Sequence, residues 1–111
     1  MSAERRVHDR LPLRLFVDHI LAEDQRCLCV TEDVSADGVR LRGTPGRGWG
    51  QPRHVWLSFS LPDEGPAIRA LGELRYEGEA HDGARIRGYR FKYLAPRSRQ
   101  RFEAFLEQRA A

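Results

Sequence analysis

The sequence of 111 residues has no long uninterrupted hydrophobic run. Its most apolar segments, around Leu11–Val17 and Val55–Leu61, are broken by charged residues, serine or proline. Neither approaches the roughly 20 apolar residues that a membrane-spanning helix needs. The charged N-terminal segment has no apolar stretch behind it, so a secretory signal peptide is not expected. We therefore predict a cytoplasmic protein without a membrane span.

Cysteine is also scarce, with only Cys27 and Cys29 in the chain. A disulfide between positions this close on one strand has awkward geometry, so we interpret both as small core residues in a reducing compartment. None of the four histidines is spaced with these cysteines as a zinc site requires. The sequence therefore predicts no metal site.

Lysine is nearly absent, because Lys92 is the only lysine among 19 basic residues and the others are arginine. The formal net charge is +3, and residues 85–109 hold eight basic residues against two acidic ones. Genomic base composition explains such an arginine excess, and so does recognition of phosphate or guanine, which the planar guanidinium suits. The basic C-terminal part favours an anionic partner without specifying which one.

Common catalytic motifs are missing as well. The chain contains neither G-x-S-x-G nor H-E-x-x-H. The glycine-rich segment 43–50 lacks the G-K-[ST] of a phosphate-binding loop, and no helical pattern follows it, so we interpret it as a connector. We predict that the protein is not an enzyme and needs no cofactor.

What the sequence does contain is a series of segments in which apolar and polar residues alternate, the pattern of half-buried β-strands. These segments lie around residues 13–18, 27–33, 39–42, 55–60, 68–76 and 89–93. Turn residues separate them at Ser35–Gly38, which predicts a hairpin or a tight corner, and at Pro62–Pro66. Residues 78–83 are polar and predict a loop before the last strand.

The spacing changes near the end of the chain. After Pro96, the apolar residues Phe102, Phe105 and Leu106 recur at i, i+3 and i+4, which predicts a short amphipathic helix. Pro96 suits an early helical position, and Ser98 could cap the helix. Six short strands without helices between them favour a sandwich or a closed barrel over a parallel sheet.

Two short motifs bring arginines and small polar residues to separate parts of the chain. They are R-x-x-x-R with a preceding arginine and D-x-S-x-x-G, formed by Arg5, Arg6, Arg10, Asp33, Ser35 and Gly38. Taken singly, a charged tail explains the first motif. A hairpin corner explains the second, since aspartate and serine bond nearby backbone and glycine accepts a positive φ.

Together, the motifs resemble the signature of the PilZ family, which pairs R-x-x-x-R in an N-terminal arm with D/N-x-S-x-x-G at a strand end. Their order, their separation and the predicted strands all match, over essentially the whole chain. The resemblance implies a mainly β fold, a six-stranded antiparallel barrel at residues 12–94 with a flexible arm at 1–11 and a helix at 96–109. It also implies a ligand, the bacterial second messenger cyclic di-GMP, held between arm and barrel.

The motif residues have the chemistry that this ligand needs. Arginine meets the N7 and O6 atoms of guanine with two hydrogen bonds, worth roughly 1–3 kcal/mol of discrimination in DNA, and also pairs with phosphate. Asp33 could accept guanine N–H groups, and Ser35 could donate to phosphate or accept from a base. Gly38 would let the ligand approach the backbone. In the family, a basic residue at the position of Arg5 accompanies two stacked ligands. Tyr76 falls where many members have an aromatic residue near the ligand, but we favour a core position.

Three functions remain open from the sequence. The first is a cyclic di-GMP receptor that relays the signal to a protein partner, which the resemblance places in motility, pilus or exopolysaccharide machinery. The second is a PilZ-like adaptor without nucleotide binding, against which the presence of both motifs argues. The third is a small nucleic-acid-binding barrel, suggested by the basic and aromatic residues of 88–93. Any half-buried strand of a basic barrel shows that alternation, so it carries little weight.

Overall fold

A computed structural model of the chain describes residues 9–22, 25–42 and 53–110. Within these ranges, six antiparallel strands close into a barrel in the order β1-β2-β3-β6-β5-β4. The strands and the helix that follows them are β1 Phe16–Ala22, β2 Gln25–Ser35, β3 Gly38–Arg42, β4 His54–Phe59, β5 Ile68–Glu79, β6 Arg85–Leu94 and α1 Pro96–Ala110. The predicted six-stranded antiparallel barrel with a C-terminal helix is confirmed.

The first strand begins at Phe16, although the alternation predicted a strand from Leu13. Leu13 and Leu15 still pack against the core. Their backbone groups, however, bond not to a regular series of backbone groups on a neighbouring strand but to the side chain of Thr31. Its Oγ1 accepts the Leu15 N–H at 2.8 Å and donates to the Leu13 carbonyl at 2.5 Å. The alternation therefore predicted the burial of Leu13 and Leu15 correctly, although these residues do not form a strand.

The hairpin between β5 and β6 is longer than predicted. Gly78, which we placed in a polar loop, lies within β5, and the turn occupies residues 80–84. Gly83 has a φ of 84° there, a value that favours glycine. The prediction at Gly78 was wrong because this glycine makes room for a neighbour: a Cβ on it would lie 2.1 Å from the Tyr76 hydroxyl.

The core lies inside the barrel and beneath α1. Phe102 is fully buried, and its ring meets those of Phe59 and Phe91 edge-on at centroid distances of 5.3 and 5.9 Å. The helix begins at Pro96, and its first backbone bond runs from Arg99 N–H to the carbonyl of residue 95. Ser98, which we considered as a cap, therefore lies inside the first turn.

Two of the four register shifts between the described strands lie on the outer face that carries Asp33 and Tyr76. The register of β2 against β3 shifts between Thr31 and Asp33, so Glu32 is the extra residue. The register of β5 against β6 shifts between Leu74 and Tyr76, so Arg75 is the extra residue there. A bulge interrupts the alternation of a strand and re-aims its side chains. As a result, Arg75 and Tyr76 are both exposed although they are neighbours in sequence.

Candidate ligand-binding groove

Two neighbouring rows of cross-strand partners form one outer face of the barrel, across β2, β3, β6 and β5. The first row is Asp33, Arg40, Gly88 and Tyr76, and the second is Ser35, Gly38, Arg90 and Glu73. Each row contains one glycine, which contributes no side chain and leaves a depression between its neighbours. The groove here has a volume of about 400 Å³. It is lined by Arg10, Ser35, Asp37, Gly38, Arg40, Arg75, Tyr76, Gly88, Tyr89 and Arg90.

The carboxylate of Asp33 joins two arginines of this groove. Arg10 Nη1 donates to Oδ1 at 2.9 Å, while Arg40 donates from Nε and Nη2 to Oδ2 at 2.7 and 2.5 Å. The hydrogen bond to Asp33 raises the pKa of Arg40 above its ordinary value. The Asp33 side chain is only 10% exposed, against 55% for Arg10. Both carboxylate oxygens, which we expected to meet guanine, therefore accept from guanidinium groups in this structure.

The end of the N-terminal arm is fixed beside this ion pair. Leu11 and Val34 exchange two backbone hydrogen bonds, with N···O distances of 2.8 and 2.9 Å. This bridge sets the point at which the chain leaves the barrel, next to both Arg10 and Asp33. Arg5 and Arg6 lie outside the described residues.

Ser35 and Gly38 close the hairpin between β2 and β3, as the turn residues predicted. The Ser35 Oγ accepts the Asp37 N–H at 3.2 Å, which leaves its hydroxyl hydrogen able to donate to a ligand. Gly38 does not adopt the positive φ that a hairpin corner allows. It is needed for another reason: a Cβ there would lie 2.1 Å from the Tyr89 carbonyl oxygen on β6.

Seven of the ten lining residues were not assigned to the site from the sequence. Arg40, Arg75 and Arg90 were not assigned to the site, and Tyr76 is 47% exposed instead of lying in the core. The core assignment of Tyr76 was wrong because the bulge at Arg75 turns it outward. Arg40 could have been found, since it stands two residues after Gly38 in a strand and shares its face.

A polar pair occupies the interior of the barrel behind the groove. His19 Nε2 lies 2.9 Å from the Tyr89 hydroxyl, and both side chains are buried. Burial lowers the pKa of His19 below 6.5, and the charge of Arg87 lowers it further. Burial also raises the pKa of Tyr89 to about 12. Because both side chains are buried and bonded to each other, we assign this pair a structural role.

A larger groove of about 630 Å³ lies between β1, β4 and α1. Its walls include Phe16, Leu61 and Phe105, so it offers an apolar surface and lacks the arginine-rich lining of the smaller groove. Over the described ranges, no three histidine, cysteine or acidic side chains are grouped as a metal site would require. In the same ranges, no helix has the length and apolar character needed to cross a membrane.

Comparisons with known proteins bear on the family and on the fold of this chain. The family model described as PilZ domain matches residues 4–108. The solved structure of the Bacillus subtilis inhibitor of motility MotI/DgrA is similar, with a TM-score of 0.78 at 16% sequence identity. The alignment covers 90% of this chain and 48% of that chain, so this chain spans about half the length of that protein. A search of curated protein sequences finds no significant match.

Proposed function

Because this chain belongs to the PilZ domain family, whose model matches residues 4–108, we propose that it is a receptor for cyclic di-GMP. One observation carries the proposal: the described residues of both motifs meet at one groove. Arg10, Ser35 and Gly38 line it, and Asp33 bonds to two of its arginines. PilZ domains are binding and adaptor domains, so we propose no catalytic role.

The groove offers each kind of contact that a cyclic dinucleotide requires. Guanidinium groups of Arg10 and Arg40 can bond phosphate oxygens or the guanine N7 and O6 atoms. The Ser35 hydroxyl can donate to a phosphate. The half-exposed ring of Tyr76 offers a surface for a base, and stacking of this kind is worth about 1–3 kcal/mol per base.

To bind here, a ligand must replace ion pairs that are already formed within the protein. A phosphate that approaches Arg10 competes with Asp33 for the same guanidinium donors. Once Arg10 turns to the phosphate, one oxygen of Asp33 becomes able to accept a guanine N–H. The two backbone hydrogen bonds between Leu11 and Val34 anchor the end of the arm next to Asp33 and the groove. We therefore expect Arg5 and Arg6 to close over the ligand.

The rearranged arm and the bound ligand together create a surface that a cytoplasmic partner protein can recognise. The ligand then acts by shifting the population of arm positions. Family resemblance directs the search for partners to motility, pilus and exopolysaccharide machinery. The similar structure from Bacillus subtilis is that of an inhibitor of motility, which favours motility machinery as the first candidate.

Calorimetric titration with cyclic di-GMP tests the proposal, with GTP and cyclic di-AMP as competing ligands. We expect saturable binding that is selective for cyclic di-GMP. Arg6→Ala and Arg10→Ala should each abolish detectable binding, because each removes a charged donor from the arm. Arg97→Ala is the matched control, since Arg97 is exposed on α1 away from the groove, and it should bind like wild type.

The outcomes separate the candidate functions. A folded protein that does not bind cyclic di-GMP would favour the adaptor function. Binding to single-stranded oligonucleotides with steep salt dependence would favour the nucleic-acid function. Near wild-type affinity in both arm variants would refute the site. The stoichiometry will show whether Arg5 supports a second ligand.

A further inference from the structure

The arginines of the groove fall into two groups. Arg10 and Arg40 are both held by the carboxylate of Asp33. Arg75 and Arg90 come from β5 and β6, and their side chains are not bonded to Asp33. Arg75 Nη1 donates to Glu73 at 3.3 Å and remains 57% exposed, so this bond leaves most of its guanidinium open to solvent. Arg90 is exposed and, over the described residues, has no side-chain ion pair.

Backbone geometry gives these two arginines their positions. Arg75 is the extra residue of the β5 bulge, and a regular strand would not expose it together with Tyr76. Arg90 pairs with Gly38, and its Cα would lie 3.1 Å from a Cβ at that position. The absent side chain of Gly38 therefore leaves space between Ser35 and Arg90, which flank it in the same row.

We propose that Arg75 and Arg90 form a second phosphate subsite in the groove. The inference rests on the proposed function, and it assigns these residues to the phosphodiester that the arm does not hold. A cyclic dinucleotide has two phosphodiesters on opposite sides of its ring, each with one negative charge. Arg10 bonds to Asp33 on β2, whereas Arg75 and Arg90 stand on β5 and β6, the strands of the other side of the groove.

The charge balance of the groove supports an anion at this position. Four arginines line the groove. Three carboxylates line it or bond to these arginines, those of Asp33, Asp37 and Glu73. With Arg10 of the arm included, the arginines exceed these carboxylates by one positive charge. Two guanidinium groups can hold one phosphate through parallel charge-assisted hydrogen bonds, which are stronger than neutral ones.

Calorimetry on the full chain tests the subsite, using cyclic di-GMP as the probe. Arg75→Ala and Arg90→Ala should each weaken binding about three- to tenfold, and the double variant should weaken it more than either. Arg69→Ala is the control, because it removes an exposed arginine from β5 outside the groove and should leave the affinity unchanged. Circular dichroism and thermal unfolding establish that each variant is folded.

Lysine variants distinguish phosphate from guanine as the group that is bound. Lysine keeps the charge that a phosphate needs but lacks the planar fork that matches N7 and O6. Arg90→Lys should therefore retain most of the affinity that Arg90→Ala loses. Equal losses in both variants would overturn a phosphate subsite.

The failure of the subsite and the failure of the receptor function give different results. Wild-type protein that binds cyclic di-GMP, with a double alanine variant within about twofold of it, would overturn the subsite alone. Wild-type protein that does not bind would overturn the receptor function and the subsite with it.

Discussion

Gly38 shows at the scale of one residue how a motif position serves the barrel itself. Its place in D-x-S-x-x-G suggested either a turn with positive φ or close approach of the ligand. The structure shows close approach of another strand, since the Tyr89 carbonyl oxygen occupies the space that a side chain would fill. The same residue, which has no side chain, also leaves the floor of the groove open. Gly38 therefore serves both the pairing of the strands and the proposed binding site.

We predict that Gly38→Ala destabilises the protein by about 1–3 kcal/mol, the range for overpacking. The new methyl group would meet backbone atoms of β6, which cannot move without disturbing the β3–β6 pairing. Urea unfolding measures the change in the free energy of unfolding. Gly65→Ala is the control, because a methyl group there meets the flexible end of Arg101. An equal loss in both variants would contradict the explanation.

The residue types of the site were predictable only where a motif or a strict alternation marked them. Arg10, Asp33 and Ser35 stand in motifs, and the structure brings them to one face. The exposed position of Tyr76 was missed because it depends on one extra residue in a strand. A single inserted residue changes neither composition nor hydrophobicity enough to be seen in one sequence.

At the scale of elements, the strands and the helix were predictable because apolar residues recur with a different period in each. The six alternating segments and the i, i+3, i+4 spacing after Pro96 predicted six strands and a helix, in a sandwich or a closed barrel. The resemblance to the PilZ family was needed to choose the barrel. Strand ends were less predictable, since Leu13 and Leu15 are partly buried without forming a ladder. Glycine was also an unreliable marker of loops, because Gly78 lies within β5, where it leaves room for the ring of Tyr76.

The helix α1 is attached to the barrel through two fully buried side chains, Phe102 and Leu106. We predict that Phe102→Ala lowers the free energy of unfolding by about 3–5 kcal/mol, since it leaves a cavity between Phe59, Phe91 and the helix. Phe105→Ala should cost less, because Phe105 is only partly buried. Chemical denaturation compares the two variants, and similar losses would show that the helix is not held mainly through Phe102.

At the scale of the whole molecule, the barrel carries a titratable group at its centre. Because burial and the charge of Arg87 lower the pKa of His19, the unfolded chain takes up a proton at a higher pH than the folded protein. Stability should therefore decline as the pH falls below 6.5, the ordinary value, until the folded pKa is reached. Above 6.5 the histidine is neutral in both states, and its contribution is complete.

Unfolding measured from pH 7.5 to 5 on the wild type and on His19→Gln tests this expectation. The variant keeps a polar side chain near Tyr89 but cannot titrate, so its stability should depend less on pH over this range. A decline of the same steepness in both proteins would assign the acid sensitivity to other groups.

Closure of the barrel also limits how a partner can recognise this protein. Each of the six described strands has a hydrogen-bonded neighbour on both sides, so none of them is an edge strand. Many adaptors capture a partner by adding its backbone to an open sheet, and that route requires a free edge. A partner that contacts the described residues would therefore bind side chains on the barrel wall or on the helix. Recognition of this kind can change quickly in evolution, because surface side chains can be replaced without altering the pairing of the strands.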